Sequence, residues 1–407
     1  MKKFPEGFYW GAATASYQVE GGIDNCDWAK AASEGRVPVC GMACDHYHRY
    51  EEDFDIAKSL GHNAHRFSIE WARIEPEEGR FDTVEIEHYR KVLLSLKKQN
   101  IEPFVTLWHF TLPLWFSESG GFERKDSPEI FARYCLFVVN ELQDLCTHFS
   151  TINEPNVWAG HGWLYGAWPP FKRGKIFNKQ LGKDDGSTKR VGAVAKNKNI
   201  LLYFKVEKNL INGHIMSYDA IKKIAPQVKI SLVKHVRWFT SDDKIINRLK
   251  AGVMSYLQSG RFLNKVRRHL DEIGLNYYRH TMFGDNKNYL LTDMGWEAYP
   301  SGLYGALMSL KKYKLPVIIS EAGLADEDDD MRALYIKVEA KAMQRAICDG
   351  VDLRGHMYWS LLDNYEWALG FEKRFGLVEI NYDTLERTIR PSAYVYKQIC
   401  ETNAVVE

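Results

Sequence analysis

Eight short runs of apolar and β-branched residues recur along the chain, at 8–13, 64–69, 103–108, 149–153, 229–233, 273–277, 317–320 and 355–359. Segments with helical periodicity lie between them. A strand that is apolar at consecutive positions is buried on both faces, which marks a parallel sheet covered by helices. Eight such units predict one closed (β/α)₈ barrel, a TIM barrel, which needs about 250 residues. The chain has 407. The surplus is expected in loops, with a single barrel domain spanning 1–407.

Several helices are readable. Phe131, Cys135, Val138, Leu142, Leu145 and Phe149 recur in steps of four and three and form one apolar stripe. Ser127 and Pro128 ahead of it read as an N-cap and first helical residue. Residues 85–98 read as another helix, capped by Asp82, and Ile336, Ala340, Met343 and Ile347 mark a third. Residues 172–198 are rich in Lys, Gly, Asp and Asn and read as a long surface loop.

Catalytic groups of such barrels sit at the C-terminal ends of the strands. Gln18 follows the first strand, Arg66 lies in the second, and His109 ends the third. Asn153 and Glu154 end the fourth, Asn276 and Tyr278 the sixth, Glu321 the seventh and Trp359 the eighth. Glu366 and Trp367 lie in the loop beyond it. Pro155 biases Glu154 toward extended backbone, so its side chain is expected to project from the strand mouth. Alone, Glu154 reads as a solvated turn, His109 as a core histidine, Trp359 and Trp367 as core aromatics, and Arg66 as half of an ion pair. Together they read differently. Two carboxylates facing across a barrel mouth, ringed by hydrogen-bonding groups and indoles, suit hydrolysis of a glycosidic bond. The 12 Trp and 22 Tyr lean the same way, although a large core also uses aromatic rings.

The net charge of +1 offers no footprint for nucleic acid or an acidic membrane surface. No membrane span and no signal peptide is visible. The 7 Cys lack Cys-x-x-Cys pairs, which fits reduced thiols and a cytoplasmic location. Cys40, Cys44, His46 and His48 have a spacing that could ligate zinc, but a structural reading is favoured. Cys135 and Cys146 read as core thiols on one helix face.

Four stretches resemble the signatures of glycoside hydrolase family 1, the β-glucosidase and β-galactosidase family. They are residues 13–21, Thr151-Ile152-Asn153-Glu154-Pro155, Ile319-Ser320-Glu321-Ala322-Gly323, and 358–367 continued by Arg374-Phe375-Gly376. The resemblance runs from end to end and in the family's order. It implies retaining, double-displacement hydrolysis of terminal non-reducing β-D-glycosyl residues from small-molecule β-glycosides or oligosaccharides, with no cofactor and no metal. It also implies roles. Glu154 would be general acid and then base, and Glu321 the nucleophile, tuned by Arg66 and Tyr278. Asn153 would hold the sugar 2-hydroxyl. Gln18, His109, Glu366 and Trp367 would bind the outer hydroxyls. Trp359 would stack beneath the ring, and Tyr278 and Phe375 complete the sugar-binding set.

The chain departs from the family at three places. Ala322 stands where the family usually has asparagine. Phe110 and Thr111 stand where it often has tryptophan and aspartate, so an indole donor is missing. The chain is also short for the family, mainly between strands five and six, which implies trimmed loops on the leaving-group side. A 6-phospho-β-glycosidase is disfavoured because Glu366 would repel a phosphate. A catalytically dead sugar-binding barrel is disfavoured because both carboxylates are present. Transglycosylation would use the same residues.

Overall fold

The computed structural model describes residues 3–172, 198–284 and 289–406. The predicted loop at 172–198 therefore lies almost wholly outside the described residues. Eight strands form the barrel: β1 (Tyr9–Ala13), β2 (Ala64–Ser68), β3 (Glu102–Thr106), β4 (His148–Asn153), β5 (Lys229–His235), β6 (Glu272–Tyr277), β7 (Val317–Ala322) and β8 (Leu353–Trp359). All pair in parallel, and the barrel closes between β1 and β8, where Ala13 aligns with Trp359. Each strand starts and ends within two residues of its predicted run.

The alternation of the strands sorts two cores. Ile230, Leu232, Ile273, Leu275 and Ile319 join the large cluster between barrel and helices. Ala13, Ala64, Phe104, Ile318 and Met357 fill the barrel interior, with Trp359 and Phe375 in the same cluster. β1 and β2 approach so closely that a Cβ at Gly11 would stand 1.8 Å from the Ala64 carbonyl oxygen, so only glycine fits.

Helix Thr83–Lys98 begins where expected, with the Asp82 carboxylate accepting from Val84 and Glu85 N–H at 2.8 and 3.3 Å. Helix Arg332–Cys348 covers the third predicted segment. Helix Ser127–Leu142 differs in both ends. Its N-cap is Asp126, because the Ser127 hydroxyl donates to the Arg124 carbonyl and is not available as a cap. Its apolar stripe outruns it: Leu145 lies in the turn beyond and Phe149 in β4, yet both are buried as the chain re-enters the core. Cys146 also lies past the helix end, so it shares no helix face with Cys135, although both thiols are buried.

Beyond the barrel, Trp238–Ser241 and His280–Phe283 pair in parallel as an outer two-stranded sheet, following β5 and β6 in sequence. It had no counterpart in the sequence pattern.

Candidate active site

Two buried glutamates, 7% and 4% exposed, lie at the C-terminal mouth: Glu154 and Glu321. Glu321 on β7 accepts from the Arg66 guanidinium and, at 2.7 Å, from the Tyr278 hydroxyl. Arg66, reaching from β2, also donates to Asn153 Oδ1 (2.9 Å) and Thr106 Oγ1 (3.0 Å). Asn276 links the two halves. It is the register partner of Glu321 on β6, and its amide donates to Glu154 Oε1 at 2.8 Å and Asn153 Oδ1 at 3.2 Å. One asparagine thus touches one carboxylate while lying beside the other.

Their surroundings differ. Glu321 faces a cation, the Arg66 guanidinium, and a hydroxyl donor, Tyr278. Burial, and next the charge of Glu321, push the Glu154 carboxyl up to about 8, against the Asn276 hydrogen bond and the more distant Lys234 and Arg66. Burial, followed by Arg66, holds His109 well below its usual range, so its ring is neutral. Asn153 Nδ2, a donor, stands 3.2 Å from His109 Nε2, which assigns acceptor character to Nε2 and the ring proton to Nδ1. Among the described residues, none accepts from that buried Nδ1–H.

The backbone at Glu154 corrects the sequence expectation. Its φ and ψ are 42° and 56°, left-handed and not extended. Its N–H donates to the Val233 carbonyl at 3.0 Å, while its own carbonyl accepts from Val157 and Trp158 and opens helix Pro155–Ala159. One residue must carry the chain from strand to helix. Proline keeps that residue out of the right-handed region, and the turn then leaves the left-handed one, at a cost of about 1–3 kcal/mol. His109 likewise lies three residues past the end of β3, not in it.

Aromatic rings wall the mouth. The His109 ring is parallel to Trp359 (6.0 Å, 15°) and to Trp367 (6.1 Å, 12°). Phe375 meets Tyr278 edge-on at 6.2 Å. Phe110, at φ 78°, packs against Trp367 at 5.2 Å and Trp168 at 5.0 Å. Thr111 donates its hydroxyl to the buried Glu70 carboxylate at 2.9 Å. Ala322 is fully buried among apolar groups, aligned with Tyr277 and Tyr358, where a polar side chain would lack solvent. Gln18 donates to Asn364 Oδ1 (2.9 Å) and the Tyr365 carbonyl (2.7 Å), leaving its Oε1 a buried acceptor with no partner among the described residues. Glu366 is half-buried and close enough to act on the Tyr278 phenol.

Three residues of the site carried little or no signal in the sequence. Asn276 was visible at a strand end, but nothing linked it to Glu154. Lys234 on β5 is fully buried, and its amine has no hydrogen-bond partner among the described residues; burial brings it down to about 7, within the electrostatic reach of Glu207 and Glu154. Trp296 packs on Tyr278 at 6.1 Å, its buried indole N–H without a partner among the described residues, and it comes from a loop without a motif.

The Cys and His cluster near the start does not converge. Cys40 donates to the Tyr17 carbonyl and Cys44 to the Asp363 carbonyl. His46 pairs with Asp53 at 2.7 Å, and the exposed His48 pairs with Asp45 at 2.6 Å. Each ligand atom is spent on a different partner.

A parallel eight-stranded barrel whose mouth holds two buried carboxylates within a ring of amides, hydroxyls and indoles defines a barrel glycoside hydrolase. The chain belongs to glycosyl hydrolase family 1, whose sequence profile matches residues 1–266 and 252–405. It is 31% identical to the 1,4-beta-D-glucan glucohydrolase of Thermotoga neapolitana, over all of both chains. Among solved structures it is similar to a beta-glycosidase from Pyrococcus horikoshii (34% identity, 100% of this chain and 96% of that one, TM-score 0.88). It is also similar to a beta-glucosidase from Thermotoga maritima in complex with deoxynojirimycin (30%, all of both chains, TM-score 0.86).

Proposed function

We propose that the protein is a retaining β-glycosidase of the β-glucosidase and β-galactosidase type. It removes terminal non-reducing β-D-glycosyl residues by double displacement, in one barrel domain. The observation that carries this reading is the contrast between the carboxylates: Glu321 held by Arg66 and Tyr278, and Glu154 buried beside that charge. Pairs of titratable groups whose environments separate them divide into nucleophile and acid.

In the first step the Glu321 carboxylate attacks the anomeric carbon. The bond to the aglycone oxygen breaks, and Glu154 gives that oxygen its proton. Glu321 is now a neutral ester, so the charge that disfavoured ionisation of Glu154 has gone. Glu154 is left as a carboxylate and takes a proton from water. That water attacks the anomeric carbon and releases Glu321, and two inversions give net retention. Asn153 holds the 2-hydroxyl, a role supported by its hydrogen bonds from Arg66 and Asn276, which fix its side chain. The free His109 Nδ1–H and Gln18 Oε1 supply a donor and an acceptor for outer hydroxyls, alongside Glu366. Trp359 and Trp367, with Phe375 and Tyr278, supply the apolar faces. Glu366 would repel a 6-phosphate, which supports unphosphorylated sugars. NMR of the first-formed sugar tests the reading: the β-anomer is expected from a β-glucoside, and the α-anomer would exclude retention.

The pH dependence has a defined sign. Glu154 must be protonated to act as acid, and its carboxyl is raised, so kcat/KM holds through neutrality and falls as pH passes about 8. Glu321→Gln removes the neighbouring charge. The Glu154 carboxyl, followed by ¹³C NMR, is then expected to titrate at lower pH; an unmoved titration would separate the two groups.

A cytoplasmic location belongs to the same proposal. All 7 Cys are free thiols, as a reducing compartment allows. Among the described residues no helix is long and apolar enough to cross a membrane.

A further inference from the structure

β5 carries a lysine, Lys234, where a barrel strand covered by helices ordinarily carries an apolar residue. Lys234 is fully buried. In the alternation of the strand it falls on the side of Ile230 and Leu232, which pack between barrel and helices. Its amine stands 5.7 Å from the centre of the Phe262 ring and has no hydrogen-bond partner among the described residues. A buried amine without a partner costs stability, so packing does not account for it.

Both neighbours of Lys234 in β5 are tied to Glu154. The Val233 carbonyl accepts from the Glu154 N–H at 3.0 Å. His235 is the register partner of Asn276, whose amide donates to Glu154 Oε1 at 2.8 Å. Lys234 thus stands behind the acid/base carboxyl, and each group acts on the charge of the other. The other charged groups around the pair are engaged or neutral. Glu207, from helix Lys198–Ile224, accepts from the Arg261 guanidinium, from helix Arg261–Val266. His235 is neutral, because burial and then Arg237, Arg279, Lys234 and His161 hold its ring well below the usual range. On the side of the mouth, Glu154 meets Glu321 from β7, Arg66 from β2 and the Tyr278 phenol beyond β6. Of the two cations that act on Glu154, Arg66 donates to Glu321 and Asn153, and Lys234 donates to no described group.

We propose that Lys234 is a positioning residue for the second step of the reaction, its ammonium serving as the counter-charge of the Glu154 carboxylate in the glycosyl-enzyme. The inference rests on the double displacement proposed above. Before the first step Glu154 carries its proton and Glu321 the charge. Once Glu321 is an ester, the charge has moved to Glu154, and a nearby cation favours the ionised form that takes a proton from water. Burial brings the Lys234 amine down to about 7, so it is protonated on the acid side of neutrality and acts there.

The test traps Glu321 as its 2-deoxy-2-fluoroglucosyl ester and follows the Glu154 carboxyl by ¹³C NMR. In trapped Lys234→Met that carboxyl is expected to titrate about one pH unit higher than in the trapped wild type. With dinitrophenyl β-glucoside, where release of the sugar limits turnover, the acid limb of kcat should move the same way. On that limb kcat then falls about tenfold, while kcat/KM at the same pH is unchanged. The melting temperature should hold, because an unpaired amine gives way to an apolar side chain of similar size. An unmoved Glu154 titration in the trapped variant, or a loss of kcat that is equal at every pH, overturns the proposal. If the fluoroglucoside leaves Glu321 unlabelled in the wild type, the double displacement fails and the proposal falls with it.

Discussion

Glu321→Gly is expected to collapse hydrolysis of every β-glycoside, by about 10⁴- to 10⁶-fold, the scale seen when a covalent nucleophile is removed. No glycosyl ester can form, so good and poor leaving groups should suffer alike. The neighbours then make a second prediction possible in the same protein. Arg66 and Tyr278 lose their shared acceptor, and the Arg66 guanidinium is left buried beside an empty space. Breaking a buried pair on one side costs about 3–5 kcal/mol, so the variant should melt at lower temperature. The same uncompensated cation should attract small anions. Azide or formate should therefore raise both stability and turnover. Attack comes from the side where Glu321 stood, so azide should give the α-glycosyl azide, identified by NMR. A β-product, or rescue without any effect on the melting temperature, would contradict the assignment of Glu321 between Arg66 and Tyr278.

Much of this site was legible in the sequence because a parallel barrel simplifies the reading. Its strands are buried on both faces, so they stand out as apolar runs, and their C-terminal ends mark where polar residues are functional. That rule found Arg66, Asn153, Glu154, Tyr278 and Glu321, which the fold draws into one hydrogen-bonded network. What escaped depends on neighbours distant in sequence. The left-handed turn at Glu154 is imposed by helix Pro155–Ala159 and the Val233 carbonyl, neither of which a local Glu-Pro rule can see. Asn276 bridges because β6 lies beside β7, and Lys234 is buried because Glu207, Arg261 and Phe262 come to it from two helices. Helix Ile245–Ser255 had no counterpart in the sequence reading, and its Ile245, Ile246 and Leu249 are exposed, because an apolar period does not say which side meets the barrel.

Glu154→Ala is expected to separate the two steps that Glu321→Gly removes together. Its first role is to give a proton to the departing oxygen, and that matters in proportion to the basicity of the leaving group. Cellobiose, with a sugar alkoxide to expel, should lose about 10²- to 10⁴-fold, the usual worth of a positioned acid. A dinitrophenyl β-glucoside expels a stable phenolate without help, so glycosylation of Glu321 should stay fast. The second step has then lost its base, and the ester should accumulate. A burst of dinitrophenol equal to the enzyme concentration is expected, followed by slow steady turnover, and mass spectrometry should find the sugar on Glu321. Azide needs no base, so it should accelerate the slow phase. It enters on the face vacated by Glu154, opposite to the Glu321 ester, and the product should be the β-glycosyl azide. Asn276 gives a control inside the same network: Asn276→Ala removes the donor to Glu154 Oε1 but keeps the carboxyl. That hydrogen bond favours the ionised form, so its loss should move the basic limb of kcat/KM to higher pH without producing a burst. Equal losses of Glu154→Ala on cellobiose and on the dinitrophenyl glucoside, or the same anomer from both azide rescues, would reverse the roles assigned to the two glutamates.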